Sequence, residues 1–313
     1  MKIGVIDMGT NTFHLLVADV EGTEYRVLER ERVAVRIGKG GISDGFITED
    51  SIGRALDTLV NFKKKMVEVG VNKVFATATS AVRSAKNGQE LVNRICEATG
   101  IEVKVISGDE EAEAIYYGVS KALSLGSEKS LIMDVGGGSI EFIIGNQDQI
   151  FWKRSFEMGG QRLLDRFHKS DPIDESELSS LLAFIKENLG PLIEAARFHK
   201  PKILVGSSGT FDTLSDIFCE KRGLENDENA TEYPLTVEGF LEIFQDLKSM
   251  NRVERLKIPG MIEMRVDMIV VASVLVYYII DQLGIDQIRV SSYALKEGIL
   301  MKTIDDLQVP NQS

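Results

Sequence analysis

The sequence predicts an α/β protein of two similar domains that meet at a cleft, and three observations carry that prediction. The chain has 313 residues, enough for two domains that each bury a core of their own. Apolar strand patterns alternate with amphipathic helical ones along its length, as in α/β folds. The third observation is an internal repeat: IDMGTNTFHLLV, from Ile6, is matched by MDVGGGSIEFII, from Met133. Each copy places an aspartate at the end of an apolar strand, a glycine two residues on, and a small hydroxyl residue before a return strand. A repeat at this spacing is a domain duplication and not a solenoid.

The elements follow in order. Lys2–Asp7 is a continuous apolar strand, Gly9-Thr10-Asn11 a tight turn, and Phe13–Val20 the return strand. Tyr25–Ile37 alternates with period two and reads as a third strand, ending in the loop Gly38-Lys39-Gly40-Gly41. Thr48, followed by Glu49 and Asp50, is an N-cap, opening a helix to about Val69. Strand Lys73–Ala78, helix Gln89–Ala98, strand Glu102–Ile106 and a helix ending near Leu123 complete the first half. The second half opens with strand Ser130–Asp134, the turn Gly136-Gly137-Gly138 and strand Ile140–Gly145. Helices near Ser176–Leu189 and Val237–Leu247, strand Lys202–Gly206, an apolar helix near residues 266–283, strand Gln287–Ser291 and a last helix from Lys296 to Asp306 follow. Glu220–Glu232 reads as a polar loop, and no Pro-rich or Ser-rich linker marks a boundary.

Composition narrows the partners. A net charge of −12 argues against DNA and anionic membranes as ligands, so an anionic substrate needs a local basic site. Cys96 and Cys219 are far apart, with no CxxC and no histidine pair nearby, which argues against a disulfide framework or structural zinc and suits a reducing cytoplasm. MKIGVIDMG reaches Asp7 too soon to contain a signal-peptide core. The longest apolar stretch, Met268 to Ile280, is interrupted by Ser273 and flanked by Asp267 and Asp281, so it reads as a buried helix.

Phosphate chemistry is the theme of the motifs. A strand–turn–strand with glycine and hydroxyl residues lets backbone N–H groups converge on a phosphate oxygen, and its aspartate can hold a hydrated divalent cation. Gly9, Thr10 and Asn11 fit that use, as does a plain hairpin turn. Gly136, Gly137, Gly138 and Ser139 fit it better, because three glycines between strong strands carry an entropic cost that a mere loop tip does not explain. In Ser107-Gly108-Asp109-Glu110-Glu111, Ser107 as N-cap puts Glu110 at the capping-box position and leaves Glu111 to point elsewhere. Near a helix N-terminus an ionised Glu111 is favoured and can act as a general base, although spacing alone suits a solvated acidic turn as well. Arg83, after strand Lys73–Ala78, can take phosphate oxygens or simply face solvent. The same two readings hold for Arg36 and Lys39, and the Gly206-Ser207-Ser208-Gly209-Thr210 loop is either a nucleotide or phosphate contact or an ordinary strand-to-helix turn. His14 reads as a core or rim residue, and His168 and His199 as surface residues.

In combination, IDMGTNTFHLLV, TSAVR, SGDEEAEAIYYGV and DVGGGSIEFIIG, in this order and continued by FEMGGQRLL and GSSGT, resemble the Ppx/GppA family of exopolyphosphatases and guanosine pentaphosphate phosphohydrolases. The resemblance spans essentially the whole chain. It implies two ribonuclease-H-like domains of the actin-like ATPase superfamily, at 1–124 and 125–295, with the C-terminal helix, 296–313, packed back on the first. It further implies a Mg²⁺- or Mn²⁺-dependent attack of water on a terminal phosphoryl group. A homodimer is the expected assembly. By the family pattern Glu111 is the catalytic glutamate, Glu141 the acid of the glycine-rich motif and Arg83 the arginine after TSA. Asp7 and Asp134 fall on the family's metal-associated aspartates. In the mechanism expected from these residues Asp7, Asp134 and Glu141 organise the cation, and Gly9–Asn11, Gly136–Ser139, Arg36, Lys39, Ser208 and Gly209 are the expected phosphate contacts. Long members carry a C-terminal helical domain with a His-Asp doublet; no His-Asp dipeptide occurs in this sequence, so short polyphosphate is the expected substrate and guanosine pentaphosphate the alternative. An actin-like kinase or a non-catalytic guanosine tetra- or pentaphosphate sensor are the competing readings, and free phosphate released without an acceptor separates them.

Overall fold

The computed structural model describes residues 1–225, 227 and 230–308. It divides into two compact units, Met1–Gly118 with the segment that begins at Leu295, and Val119–Ala294. Residues 309–313 of the expected last helix lie outside the described residues.

The first unit is built on five strands: β1 (Lys2–Met8), β2 (Phe13–Glu21), β3 (Glu24–Val33), β4 (Lys73–Ala78) and β5 (Val103–Val105). Their order is β3-β2-β1-β4-β5, an antiparallel meander continued by parallel strands. Helices α1 (Glu49–Val69), α2 (Ser80–Ser84), α3 (Gly88–Thr99) and α4 (Gly108–Ala122) make the connections. Both faces of the sheet are covered, which is why β1 and β2 are apolar almost throughout. Ile6, Met8, Leu15 and Val17 pack with Leu59, Phe62 and Ile95 on one face; Ile3, Val5, Leu16 and Ala18 meet Leu300 and Ile304 of the C-terminal helix, Leu295–Gln308, on the other. Thr48 caps α1 as expected, its side chain accepting from the Ser51 N–H, and Gly70 ends it in the left-handed conformation at φ +77°.

The second unit repeats the plan. Strands β6 (Ser130–Val135), β7 (Ile140–Gly145), β8 (Ile150–Phe156), β9 (Ile203–Ser207), β10 (Glu232–Tyr233) and β11 (Gln287–Ser291) lie in the order β10-β11-β9-β6-β7-β8. Read from the meander, β8-β7-β6-β9-β11 reproduces β3-β2-β1-β4-β5, so both units have the expected ribonuclease-H-like sheet. Its helices are α5 (Gly160–Phe167), α6 (Glu175–Asn188), α7 (Gly190–His199), α8 (Ser208–Arg222), α9 (Val237–Ser249), α10 (Arg252–Arg255) and α11 (Met268–Leu283). Twelve of the sixteen α11 residues are buried, which accounts for its apolar sequence. Among the described residues, no helix is long and apolar enough to cross a membrane.

Three expectations need correction. The third strand ends at Val33 and not at Ile37, because Arg36 turns left-handed at φ +52° and its N–H is committed to the Asn11 carbonyl at 2.8 Å. The polar segment from Glu220 begins as helix, since α8 continues to Arg222. His168 is not a surface residue: both ring nitrogens are buried, without a hydrogen-bond partner among the described residues.

Candidate active site

In both units the conspicuous residues gather where the parallel strands end, the customary place for an α/β site. Asp7 and Asp134 lie one residue before the ends of β1 and β6. The turns that follow close alike: the Gly9 N–H donates to the Thr12 carbonyl and the Gly136 N–H to the Ser139 carbonyl, each at 3.1 Å.

A neighbouring segment then takes up the turn carbonyls in each unit. In the first, the N–H groups of Gly38 and Arg36 donate to the carbonyls of Thr10 (3.1 Å) and Asn11 (2.8 Å). In the second, the N–H groups of Gly160, Gln161 and Gly159 donate to the carbonyls of Gly136 (2.8 Å), Gly137 (2.8 Å) and Gly138 (3.0 Å), respectively. With its carbonyls occupied, a turn of this kind presents N–H groups to an anion. Those of Gly137, Gly138 and Ser139 bond to no described residue. Gly159 permits the approach, since a Cβ there would lie 2.5 Å from the backbone of Gly137 and Gly138.

Arg36 and Lys39 therefore sit on a loop stitched to the first turn. Arg54 of α1, which the sequence did not single out, fixes that loop: its Nε donates to the Val35 carbonyl at 2.8 Å and its Nη2 to that of Arg36 at 3.1 Å. An L-residue in the left-handed region costs about 1–2 kcal/mol, so these bonds hold Arg36 in a conformation it would otherwise leave.

Glu110 and Glu111 separate by role. Glu110 closes a capping box, accepting from the Ser107 N–H at 2.8 Å while its own N–H donates to Ser107 Oγ at 3.2 Å. The Lys104 ammonium at 2.6 Å, with the Ser107 bonds, lowers the Glu110 carboxyl to about 2. Glu111 turns inward, 6% exposed, and its Oε2 accepts from Arg83 Nη1 at 2.8 Å. The same Nη1 also donates to the Ile106 carbonyl at 3.1 Å, so Arg83 is anchored to Glu111 and is not a solvated surface arginine.

In the second unit Asp134 and Glu141 are directly opposed across β6 and β7, with side chains roughly 5 Å apart at Cβ. Asp134 Oδ2 accepts from Ser207 Oγ (2.9 Å) and Ser208 Oγ (2.5 Å), which joins the Ser207-Ser208-Gly209 loop to the acid pair. Ser208 takes φ +66° to do so. Glu141 Oε1 accepts from Ser155 Oγ of β8 at 2.7 Å. Arg265, 8% exposed and likewise marked by no sequence motif, lays its guanidinium against Gly209, where any Cβ would collide with it.

Among the described residues no group of three or more His, Cys, Asp or Glu side chains is placed to enclose a metal ion. A pair of opposed carboxylates beside a glycine turn is an all-oxygen set, and it fits a hard cation that keeps most of its water, as Mg²⁺ does. Asp134 and Glu141 are that pair; Asp7 belongs to the other unit.

The model of the Ppx/GppA phosphatase family matches residues 16–307. Exopolyphosphatase 1 of Mycobacterium bovis is 25% identical over 307 residues, covering 97% of this chain and 89% of that protein. The crystal structure of an exopolyphosphatase from Cytophaga hutchinsonii superposes with a TM-score of 0.95 at 46% identity, covering 98% of both chains. The Aquifex aeolicus Ppx/GppA enzyme gives a TM-score of 0.80 at 25% identity over 96% of this chain and 99% of its own.

Proposed function

The chain belongs to the Ppx/GppA phosphatase family, and from that premise we propose that it is an exopolyphosphatase, hydrolysing the terminal phosphate of inorganic polyphosphate. The observation that carries this reading is the division of labour at the start of α4. Glu110 is consumed by the capping box, whereas Glu111 is turned inward and held by Arg83 at 2.8 Å. A kinase places a carboxylate beside an acceptor hydroxyl; a carboxylate fixed by an arginine suits the handling of water.

In the proposed reaction the turn N–H groups of Gly137, Gly138 and Ser139 bind phosphoryl oxygens, and those of Thr10 and Asn11 do the same in the first unit, where Gly9 closes the turn. Glu111 accepts a proton from water as the water oxygen bonds to the terminal phosphorus. The bond from that phosphorus to its bridging oxygen breaks, and the shortened chain leaves with the bridging oxygen. Arg83 offsets the charge gathering on the transferred group. Asp134 and Glu141 would hold a Mg²⁺ ion, which when bound supplies charge neutralisation to the phosphate oxygens.

The test is release of inorganic phosphate, without any acceptor, from short polyphosphate, long polyphosphate and guanosine pentaphosphate in parallel. Preferred hydrolysis of polyphosphate supports the proposal. Hydrolysis confined to guanosine pentaphosphate replaces the substrate, and no release from any of them removes the enzymatic reading.

A further inference from the structure

The segment Glu29-Arg30-Glu31-Arg32 looks charge-neutral as sequence, but the sheet sorts it. Successive strand residues face opposite sides. Glu29 and Glu31 lie opposite Val17 and Leu15, whose side chains belong to the core beneath α1 and α3. There Lys65 of α1 pairs with Glu31 at 2.9 Å and with Glu29 at 3.7 Å. Both acids are thus turned to one face and met by a lysine.

The arginines take the other face. Arg30 is opposite Leu16, and Arg32 is opposite His14, which is itself opposite Asp7. Asp7, His14 and Arg32 therefore form a row straight across β1, β2 and β3, with Arg32 two strand spacings, about 10 Å, from Asp7 at Cα. Past Val33 the chain runs on to Arg36 and Lys39, in the loop bonded to the first phosphate turn. Arg30, Arg32, Arg36 and Lys39 are all exposed, and none is in an ion pair among the described residues. In a chain of net charge −12, four unpaired cations on one short stretch beside a phosphate turn require an explanation.

The geometry points to the outer face of β3 as a binding site for the substrate's further phosphates, with Arg30 and Arg32 gripping the polyanion behind the residue being cleaved. This rests on the proposed substrate class. The row is short, so affinity rises with chain length only until the substrate covers it and then levels off. Each arginine–phosphate contact releases counterions and steepens the salt dependence of binding.

The experiment compares the wild type with the Arg30→Gln/Arg32→Gln double variant on tripolyphosphate and on long polyphosphate, at several salt concentrations. The expected result is a KM for long polyphosphate raised about tenfold with kcat nearly kept, a smaller rise for tripolyphosphate, and a log KM against log salt slope reduced by about 1–2, as for the loss of two phosphate contacts. The Glu29→Gln/Glu31→Gln variant, which changes total charge on the opposite face, should leave KM unaltered. Equal KM changes for both substrates, an unchanged salt slope, or a matching KM shift from the glutamate variant would overturn the proposal. Equilibrium dialysis of long polyphosphate in the presence of a chelator gives a readout free of turnover. Weaker retention by the arginine variant sustains the site even if no phosphate is released, in which case the enzymatic reading alone fails. Single-stranded DNA competing as well as polyphosphate at equal charge would overturn the site as a phosphate-chain subsite and make it a general polyanion surface.

Discussion

Replacing Glu111 by Gln tests the proposed chemistry with little change of shape. The amide keeps a side-chain oxygen where Arg83 Nη1 now donates at 2.8 Å, so the contact survives as a bond to a neutral acceptor. Exchanging a charge-assisted for a neutral hydrogen bond costs about 1 kcal/mol. In a chain of this size that lowers Tm by only about 2 °C. The proton acceptor, in contrast, is lost, and a general base contributes about 10²–10⁴-fold, or about 2.7–5.4 kcal/mol of barrier. Phosphate release at saturating polyphosphate should therefore fall at least a hundredfold in a protein that melts almost where the wild type does. Glu110→Gln is the matched control one residue away. It keeps a neutral acceptor in the capping box but removes the charge that meets Lys104, so it should lower stability modestly while retaining turnover. The Glu110 carboxyl is held at about 2, below its unfolded value of 4.5, so its contribution is present above pH 4.5 and is lost as pH falls toward 2. That acid-side dependence should weaken in the control. Near-wild-type turnover in Glu111→Gln, or inactivation by Glu110→Gln equal to it, would refute the assignment of roles.

Activity should require Mg²⁺ or Mn²⁺ and be abolished by chelator, with Tm far less affected, because each unit has its own apolar core; full turnover in metal-stripped protein would contradict it. Arg54→Met should raise KM by about tenfold with a smaller change in kcat, since it frees the Val35 and Arg36 carbonyls and releases about 1–2 kcal/mol of left-handed strain; the effect should disappear in an Arg36→Gln background, as steady-state kinetics of the double variant will show. Burial, and secondly the Arg255 guanidinium, lower the His168 pKa from its ordinary 6.5, against the opposing pull of Asp171, Glu177 and Asp267. The unfolded chain then takes up the proton first, so stability is full above about pH 6.5 and declines below it, and His168→Phe should flatten the urea midpoint between pH 7 and pH 5.

The elements with strong local signals were legible in the sequence. Lys73–Ala78, Ile140–Gly145 and Gln287–Ser291 end where their apolar runs end, and Thr48 and Ser107 cap the helices that follow them. The capping-box reading of Glu110 also followed from spacing alone. The rest depends on contacts distant in sequence. Arg54 acts on main-chain carbonyls eighteen and nineteen residues before it, which no side-chain motif records. The strand at Ile150–Phe156 carries Lys153 and Arg154 in its middle and helix α5 is only eight residues long, and their importance lies in Gly159–Gln161 meeting the glycine turn, a pairing visible only once the sheet is formed. Ser155 carries no signal of its own, because its function, donating to Glu141, is set by register across β7 and β8.

The duplication itself explains why two different rows of side chains arise from one backbone plan. Both units close the turn with the same N–H to carbonyl bond and both take up the turn carbonyls with a neighbouring segment, so the anion-facing geometry is a property of the chain path. The side chains on the row beside the turn are then free to diverge. In the second unit the row across the meander is Asp134, Glu141, Ser155, two acids and a hydroxyl, a set suited to a hydrated cation. In the first it is Asp7, His14, Arg32, with a histidine where the second unit has an acid and a guanidinium where it has a hydroxyl, a less acidic set. A carboxylate at position 14 would place a second negative charge beside Asp7 and oppose the cations of β3. Glu141, at the equivalent position of the second unit, instead adds its charge to that of Asp134, so the proposed cation is drawn to the second row while the proposed phosphate contacts remain on both turns.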